Sequence, residues 1–305
     1  MRALRHGRRL ARWLGGLAVA GSLGFVGLRL WQSDAWALAS GQLAPLLAAV
    51  LGLALIYGLS GFLLSAAWRQ ILVGQGPARG YHAVYGRTQI AKYLPGNCFH
   101  IVGRQVLGGA LGHPQGALAL ASLLEAVLLL ALAAMLATPL ARSWLGDWAL
   151  LLPPAAAGAL ALSCAAPRLL PAGWTPPGPL RLLQAAACYG AFFIVAGSLL
   201  WLLAITLAGE TRLTPLTAVS ALALAWMAGF VVPGSSAGLG VRETVLILAL
   251  DGALDAQAGA TVALALRVVT TLGDGVFCAL ALRLHLPPGA DLSLQSKSLG
   301  NLNND

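Results

Sequence analysis

From Leu43 to Trp68 the chain carries no charged side chain, and the same holds for Ala126 to Ala141, Leu182 to Gly209 and Leu213 to Gly240. An α-helix needs about 20 apolar residues to cross the hydrocarbon core of a bilayer. Runs of this kind leave few alternatives to membrane-spanning helices. Across 305 residues, 58% are hydrophobic and only 10% are charged, with a mean hydropathy of +0.79. Soluble domains carry about 25% charged residues, so the whole chain reads as one polytopic membrane domain. The net charge of +9 sits in terminal and loop segments. It fits attraction to anionic headgroups and cytoplasmic anchoring better than nucleic-acid binding.

Two of the apolar stretches are interrupted alike. Pro95-Gly96-Asn97 leads to Gly103-Arg104, and Pro233-Gly234-Ser235-Ser236 leads through Gly238 and Gly240 to Arg242. Each Arg stands nine positions after its Pro. Broken backbone is tolerated at bilayer depth only where protein or a water-filled cavity surrounds it. A matched pair of interrupted segments points to a transport site between two membrane repeats.

The expected architecture is all-α, a polytopic integral membrane protein of about seven or eight transmembrane helices. Spans are predicted near residues 13–30, 43–72, 116–138, 148–165, 182–208, 214–232 and 259–284. Tyr81 to Gln89 suggests an interfacial helix, and Tyr93 to Leu107 is too short to span and suggests a re-entrant hairpin. The expected organisation is a basic cytoplasmic N-terminus (1–12), a membrane domain (13–285) with repeat-like halves near 13–165 and 182–285, and a polar disordered tail (286–305). Arg2, Arg5, Arg8, Arg9 and Arg12 put the N-terminus in the cytoplasm, and Arg69, Arg79, Arg87 and Lys92 place the segment after the second span there too. Trp144, Trp148 and other tryptophans near span ends suggest an aromatic belt.

Charges at bilayer depth are costly and by default face a partner or a cavity. Arg104 and Arg242 are the principal candidates for holding an anion, because a planar guanidinium can grip a phosphate with two hydrogen bonds. Asn97, Ser235, Ser236 and Lys92 are candidate helpers, and half-helix N-termini in the breaks would add free N–H groups. Glu125, Glu243, Arg267, Asp274 and His100 read as coupling groups or as structural charges that neutralise one another. The spacing of Arg267 and Asp274 puts both on one helix face. Cys98, Cys164, Cys188 and Cys278 lack metal-type or CxxC spacing and read as small packing residues. No hydrolase, nucleotide-binding or zinc-protease motif is present, so no metal, cofactor or catalytic residue is expected.

Lys92-Tyr93-Leu94-Pro95-Gly96-Asn97 with Gly103-Arg104, Glu125, Pro233-Gly234 through Gly238-Leu239-Gly240-Val241-Arg242-Glu243, and Arg267 followed by Asp274 together resemble the flippase-like membrane domain of lysyl-phosphatidylglycerol synthases. The resemblance extends over about residues 10–285. Where the family has a second Gly after its second Pro-Gly, this chain has Ser235. The resemblance implies a stand-alone member in the bacterial inner membrane that translocates a lipid or a lipid-linked glycan, with envelope glycosyltransferases as possible partners. It implies no lysyltransferase activity, since the aminoacyltransferase domain is absent from the sequence. A membrane-embedded transferase using Glu125 or Glu243 as base, and a non-catalytic subunit of an envelope-synthesis complex, are the alternative expectations.

Overall fold

The computed structural model describes residues 43–74, 77–94, 99–155, 157–158, 176–209, 212–232 and 236–286. The span expected near 13–30, residues 156 and 159–165 of that expected near 148–165, the terminal segments, and the Pro95-Gly96 and Pro233-Gly234 breaks themselves lie outside these residues. Eight α-helices are described: α1 (Leu43–Ile71), α2 (Ala78–Gln89), α3 (Phe99–Gly108), α4 (Gln115–Leu145), α5 (Pro179–Ala208), α6 (Pro215–Val231), α7 (Val241–Ala249) and α8 (Ala256–Leu282). Short 3-10 turns at Ile90–Tyr93 and Ser236–Gly238 flank the two breaks.

Four helices are long and apolar enough to cross a membrane: α1, α4 with its continuation to Ala155, α5 and α8. Their outward faces carry Leu51, Leu55 and Leu59 on α1, Leu183 and Ile194 on α5, and Val268 and Leu272 on α8. Charged groups are drawn inward instead: Arg104, Glu125, Glu243 and Asp274 are all buried. An apolar exterior around a polar interior is the arrangement that a hydrocarbon solvent favours. Trp144 and Trp148 are exposed near the far end of α4, where an aromatic belt was expected.

Helix ends follow local chemistry. Thr214 caps α6 by accepting from the Thr217 N–H at 3.2 Å, and Asp255 caps α8 by accepting from Ala258 N–H at 2.8 Å. Pro179 and Pro215 occupy first-turn positions, where the missing N–H has no cost. Arg87 donates to the carbonyls of Ala281, Leu282 and Leu284, satisfying acceptors left free at the end of α8.

The eight helices fall into two runs of four. In chain order α1–α4 matches α5–α8, with lengths of 29 and 30 residues for α1 and α5, 10 and 9 for α3 and α7, and 31 and 27 for α4 and α8. Contacts obey the same correspondence. α1 meets α5; α1 packs on α8 as α5 packs on α4; α2 packs on α8 as α6 packs on α4. Each half therefore lends its long last helix to the other half. The 3-10 turns Ile90–Tyr93 and Ser236–Gly238 also touch each other.

Close approach of α1 and α8 depends on glycine. A Cβ on Gly273 would lie 2.7 Å from the Ala54 carbonyl, and one on Gly58 would lie 2.8 Å from the Gly273 carbonyl. The expected helix is present as α2 and is packed into the protein: Gly80, Tyr81, Ala83, Val84, Tyr85 and Gly86 are buried. Small residues let α2 sit tightly beneath α8, where a Cβ on Gly86 would meet Ala281. Its tyrosines pack edge-on against Trp68. A mean hydropathy typical of an interface concealed these contacts. The helix expected near 116–138 also runs further, through Pro139 to Leu145.

Candidate functional site

One central cavity gathers nearly all the interior charge. Its lining takes Lys92 from the 3-10 turn after α2, Arg104 from α3, Glu125 from α4, Arg242 from α7, and Arg267 and Asp274 from α8. Space for water-sized centres within it is about 120 Å³, enough for several waters or a small polar group. The two arginines nine residues after each Pro line the same cavity, as the repeat idea requires. Their surroundings are nevertheless unlike.

Arg104 is held by three neighbours, although its buried Nε has no hydrogen-bond partner. It pairs with Glu125 at 2.5 Å, donates to Gln89 Oε1 at 3.0 Å, and lies 3.7 Å over the Tyr85 ring. Tyr85 in turn donates to the other Glu125 oxygen at 2.6 Å. Arg104 and Glu125 are both buried, with side-chain exposures of 3% and 6%. In such a setting the guanidinium is committed to its neighbours.

Two further pairs stand at the opposite wall. Lys92 Nζ contacts Asp274 at 2.7 Å, and the Tyr93 hydroxyl donates to the same Asp274 oxygen at 2.6 Å. Arg267 pairs with Glu243 at 3.2 Å, donates to the Ala237 carbonyl at 3.0 Å, and faces the Tyr93 ring at 5.6 Å. Arg267 and Asp274 do share one face of α8, but each is neutralised by a group from another element. The ion pairs mirror the fold's symmetry with reversed sign. In the first half a short-helix arginine (Arg104) meets a long-helix carboxylate (Glu125), and in the second a short-helix carboxylate (Glu243) meets a long-helix arginine (Arg267). Glu125 lies ten residues after Gln115, the start of α4, and Arg267 eleven after Ala256, the start of α8.

Arg242 is different. Among the described residues it forms no ion pair, and its neighbour is the neutral Tyr57 hydroxyl. It stands half-buried at the start of α7, next to the crossing of Gly229 on α6 and Gly238 in the break. Gly238 and Gly240 adopt φ of +73° and +82°, which glycine reaches without steric penalty. Trp226 and Phe230 stack at 5.1 Å on the adjoining cavity wall.

At the α7 N-terminus, where free N–H groups were expected, one N–H is taken by a side chain of the same helix. Glu243 accepts from Gly240 N–H at 2.6 Å, so its own carboxylate occupies the positive end of the helix. Asn97 and Ser235 lie outside the described residues, as does the side chain of Ser236. His100 lines the cavity with its Nδ1 buried and unpartnered; burial and the nearby Arg104 and Lys92 push its pKa down to about 3. Sequence reasoning missed Tyr57, Tyr85, Gln89 and Tyr93 as the groups that orient the charges. Tyr85 and Gln89, one turn apart on α2, were the available signal, since both are polar residues on a helix face that faces the apolar core.

The fold and cavity define a helical protein with, among the described residues, four helices long and apolar enough to cross a membrane and a charged, cation-rich interior site. No protein-family model matches the chain, and no curated protein matches it.

Proposed function

We propose that this protein translocates an amphipathic anion, a phospholipid, glycolipid or polyprenyl-phosphate-linked sugar, across a bacterial inner membrane. The observation that carries the reading is Arg242, a cation without a carboxylate partner among the described residues, in a cavity between two symmetry-related halves. The segment from Tyr93 to Leu107 acts as a re-entrant hairpin, and the total is about seven or eight passes according to whether the return limb 237–250 crosses. The acyl or prenyl tails remain in lipid while the headgroup enters the cavity, and rocking of the halves exposes it alternately to each side. The resemblance to the flippase-like domain of lysyl-phosphatidylglycerol synthases supports the same reading, with the N-terminus in the cytoplasm.

Arg242 supplies the anion contact. Lys92 and Arg267 line the same cavity, and Arg104 ties α3 to α4 through Glu125. The transferase alternative has weaker support, because Glu125 and Glu243, its candidate bases, are each engaged by an arginine and a further hydrogen bond.

The test is reconstitution of the full chain in liposomes with headgroup- or tail-labelled fluorescent lipids, read by dithionite quenching. Wild type is expected to equilibrate an anionic lipid between leaflets, and Arg242→Gln to abolish that movement while reconstituting normally. Failure of wild type to move any anionic lipid tested overturns the reading.

A further inference from the structure

The interior charges balance to a single excess. Four cations (Lys92, Arg104, Arg242 and Arg267) face the cavity. Three carboxylates neutralise three of them: Asp274 on Lys92, Glu125 on Arg104 and Glu243 on Arg267. Glu243 reaches Arg267 from a small adjoining cavity that Arg242 also lines. His100 is buried with its Nδ1 unpartnered, and burial disfavours the charged imidazolium, so it adds nothing to the balance. Among the described residues, one positive charge is left over, and it is on Arg242.

Resting on the translocation reading, we infer that the site selects a singly charged phosphodiester on an apolar tail over a doubly charged phosphomonoester or pyrophosphate. One negative charge neutralises Arg242 and leaves all three ion pairs intact. A second would have to draw Lys92 from Asp274 or Arg267 from Glu243. The deserted carboxylate would then remain buried without its cation, and an unpaired charge at that depth is strongly unfavourable. The pair most open to such competition is Lys92–Asp274, in which the Lys92 side chain is 18% exposed. Arg267 Nη2, buried and without a hydrogen-bond partner, is a donor that a phosphodiester oxygen can engage without disturbing Glu243. The stacked Trp226 and Phe230 line the same cavity and offer an apolar face to whatever ester substituent adjoins the phosphate.

The experiment is calorimetric binding to the full-length protein in neutral detergent. Probes are short-chain phosphatidylglycerol and an alkyl glucosyl phosphodiester (both monoanions), phosphatidic acid of the same chain length, and zwitterionic phosphatidylcholine. It is run at about pH 8, where a phosphomonoester with a second pKa of about 6 carries close to two charges. At least one diester is expected to bind roughly tenfold or more tightly than phosphatidic acid, and Arg242→Gln to remove that binding. The tighter of the two diesters distinguishes a glycerolipid from a lipid-linked sugar.

Asp274→Asn frees Lys92 and raises the excess by one charge. It is expected to reverse the preference toward phosphatidic acid. Glu243→Gln, which frees Arg267, carries the same expectation and serves if Asp274→Asn does not fold. Tighter binding of phosphatidic acid to wild type, still lost in Arg242→Gln, overturns the charge selection and leaves the anion-translocation reading standing. Binding of none of the anions, or of phosphatidylcholine equally well and independently of Arg242, overturns both.

Discussion

Arg104 and Arg242 occupy equivalent sequence positions and do different physical work. Arg104 has a buried carboxylate, an amide oxygen and an aromatic face around it. Removing it would strand Glu125 without a cation, a loss that typically costs about 3–5 kcal/mol. Arg104→Gln is therefore expected to lower the thermal unfolding midpoint in detergent markedly. Arg242→Gln strands no carboxylate among the described residues and should leave the midpoint nearly unchanged while abolishing transport. Intrinsic-fluorescence melting of the two variants side by side checks the contrast. Tyr85→Phe removes one hydrogen bond to Glu125 and is expected to cost about 1–3 kcal/mol, also read by melting. The identity of these residues as interior charges was legible in the sequence, because an ionisable group in an apolar run must face a partner or a cavity. Which of two equally spaced arginines is neutralised was not legible. The answer depends on a carboxylate 21 residues away in one case and on the lack of one in the other.

At the scale of elements, glycine sets how near the helices come. Gly273→Val would force its side chain against the Ala54 carbonyl and Tyr57. Backbone cannot yield as a side-chain tip does, so the α1–α8 contact should open at a cost of about 1–3 kcal/mol, measurable as a lower unfolding midpoint. Gly238→Ala acts differently, through φ of +73°, where an L-residue pays about 1–2 kcal/mol. It would also press the break against Gly229, 3.2 Å from the added Cβ. Since this crossing adjoins Arg242, loss of transport is expected at temperatures where the protein is still folded, as judged by comparing flux with melting. The long helices α1, α4, α5 and α8 were readable from apolar run length with only small shifts at their ends. α2 was readable as a helix but not as a buried one, because its polar residues find their partners on other elements.

For the whole molecule, the two halves are related in helix order, in mutual packing and, with sign reversed, in their ion pairs. The first half can therefore be recast in the polarity of the second. Arg104→Glu alone places two carboxylates together and is expected to prevent stable folding. Adding Glu125→Arg restores an arginine on the long helix opposite a carboxylate on the short one, as Glu243 and Arg267 already are, and should recover folded protein by size-exclusion chromatography. The sequence by itself determined a helical membrane protein, its long apolar helices, two interrupted segments and a small set of interior charges. It did so because apolar length, backbone interruption and charge at bilayer depth each have local energetic costs. Only the tertiary structure decided that α2 is buried, that each half packs on the other, and that three interior cations are paired while Arg242, among the described residues, is not. Pairing is a matter of a few ångströms between residues far apart in the chain, and no local pattern encodes that distance.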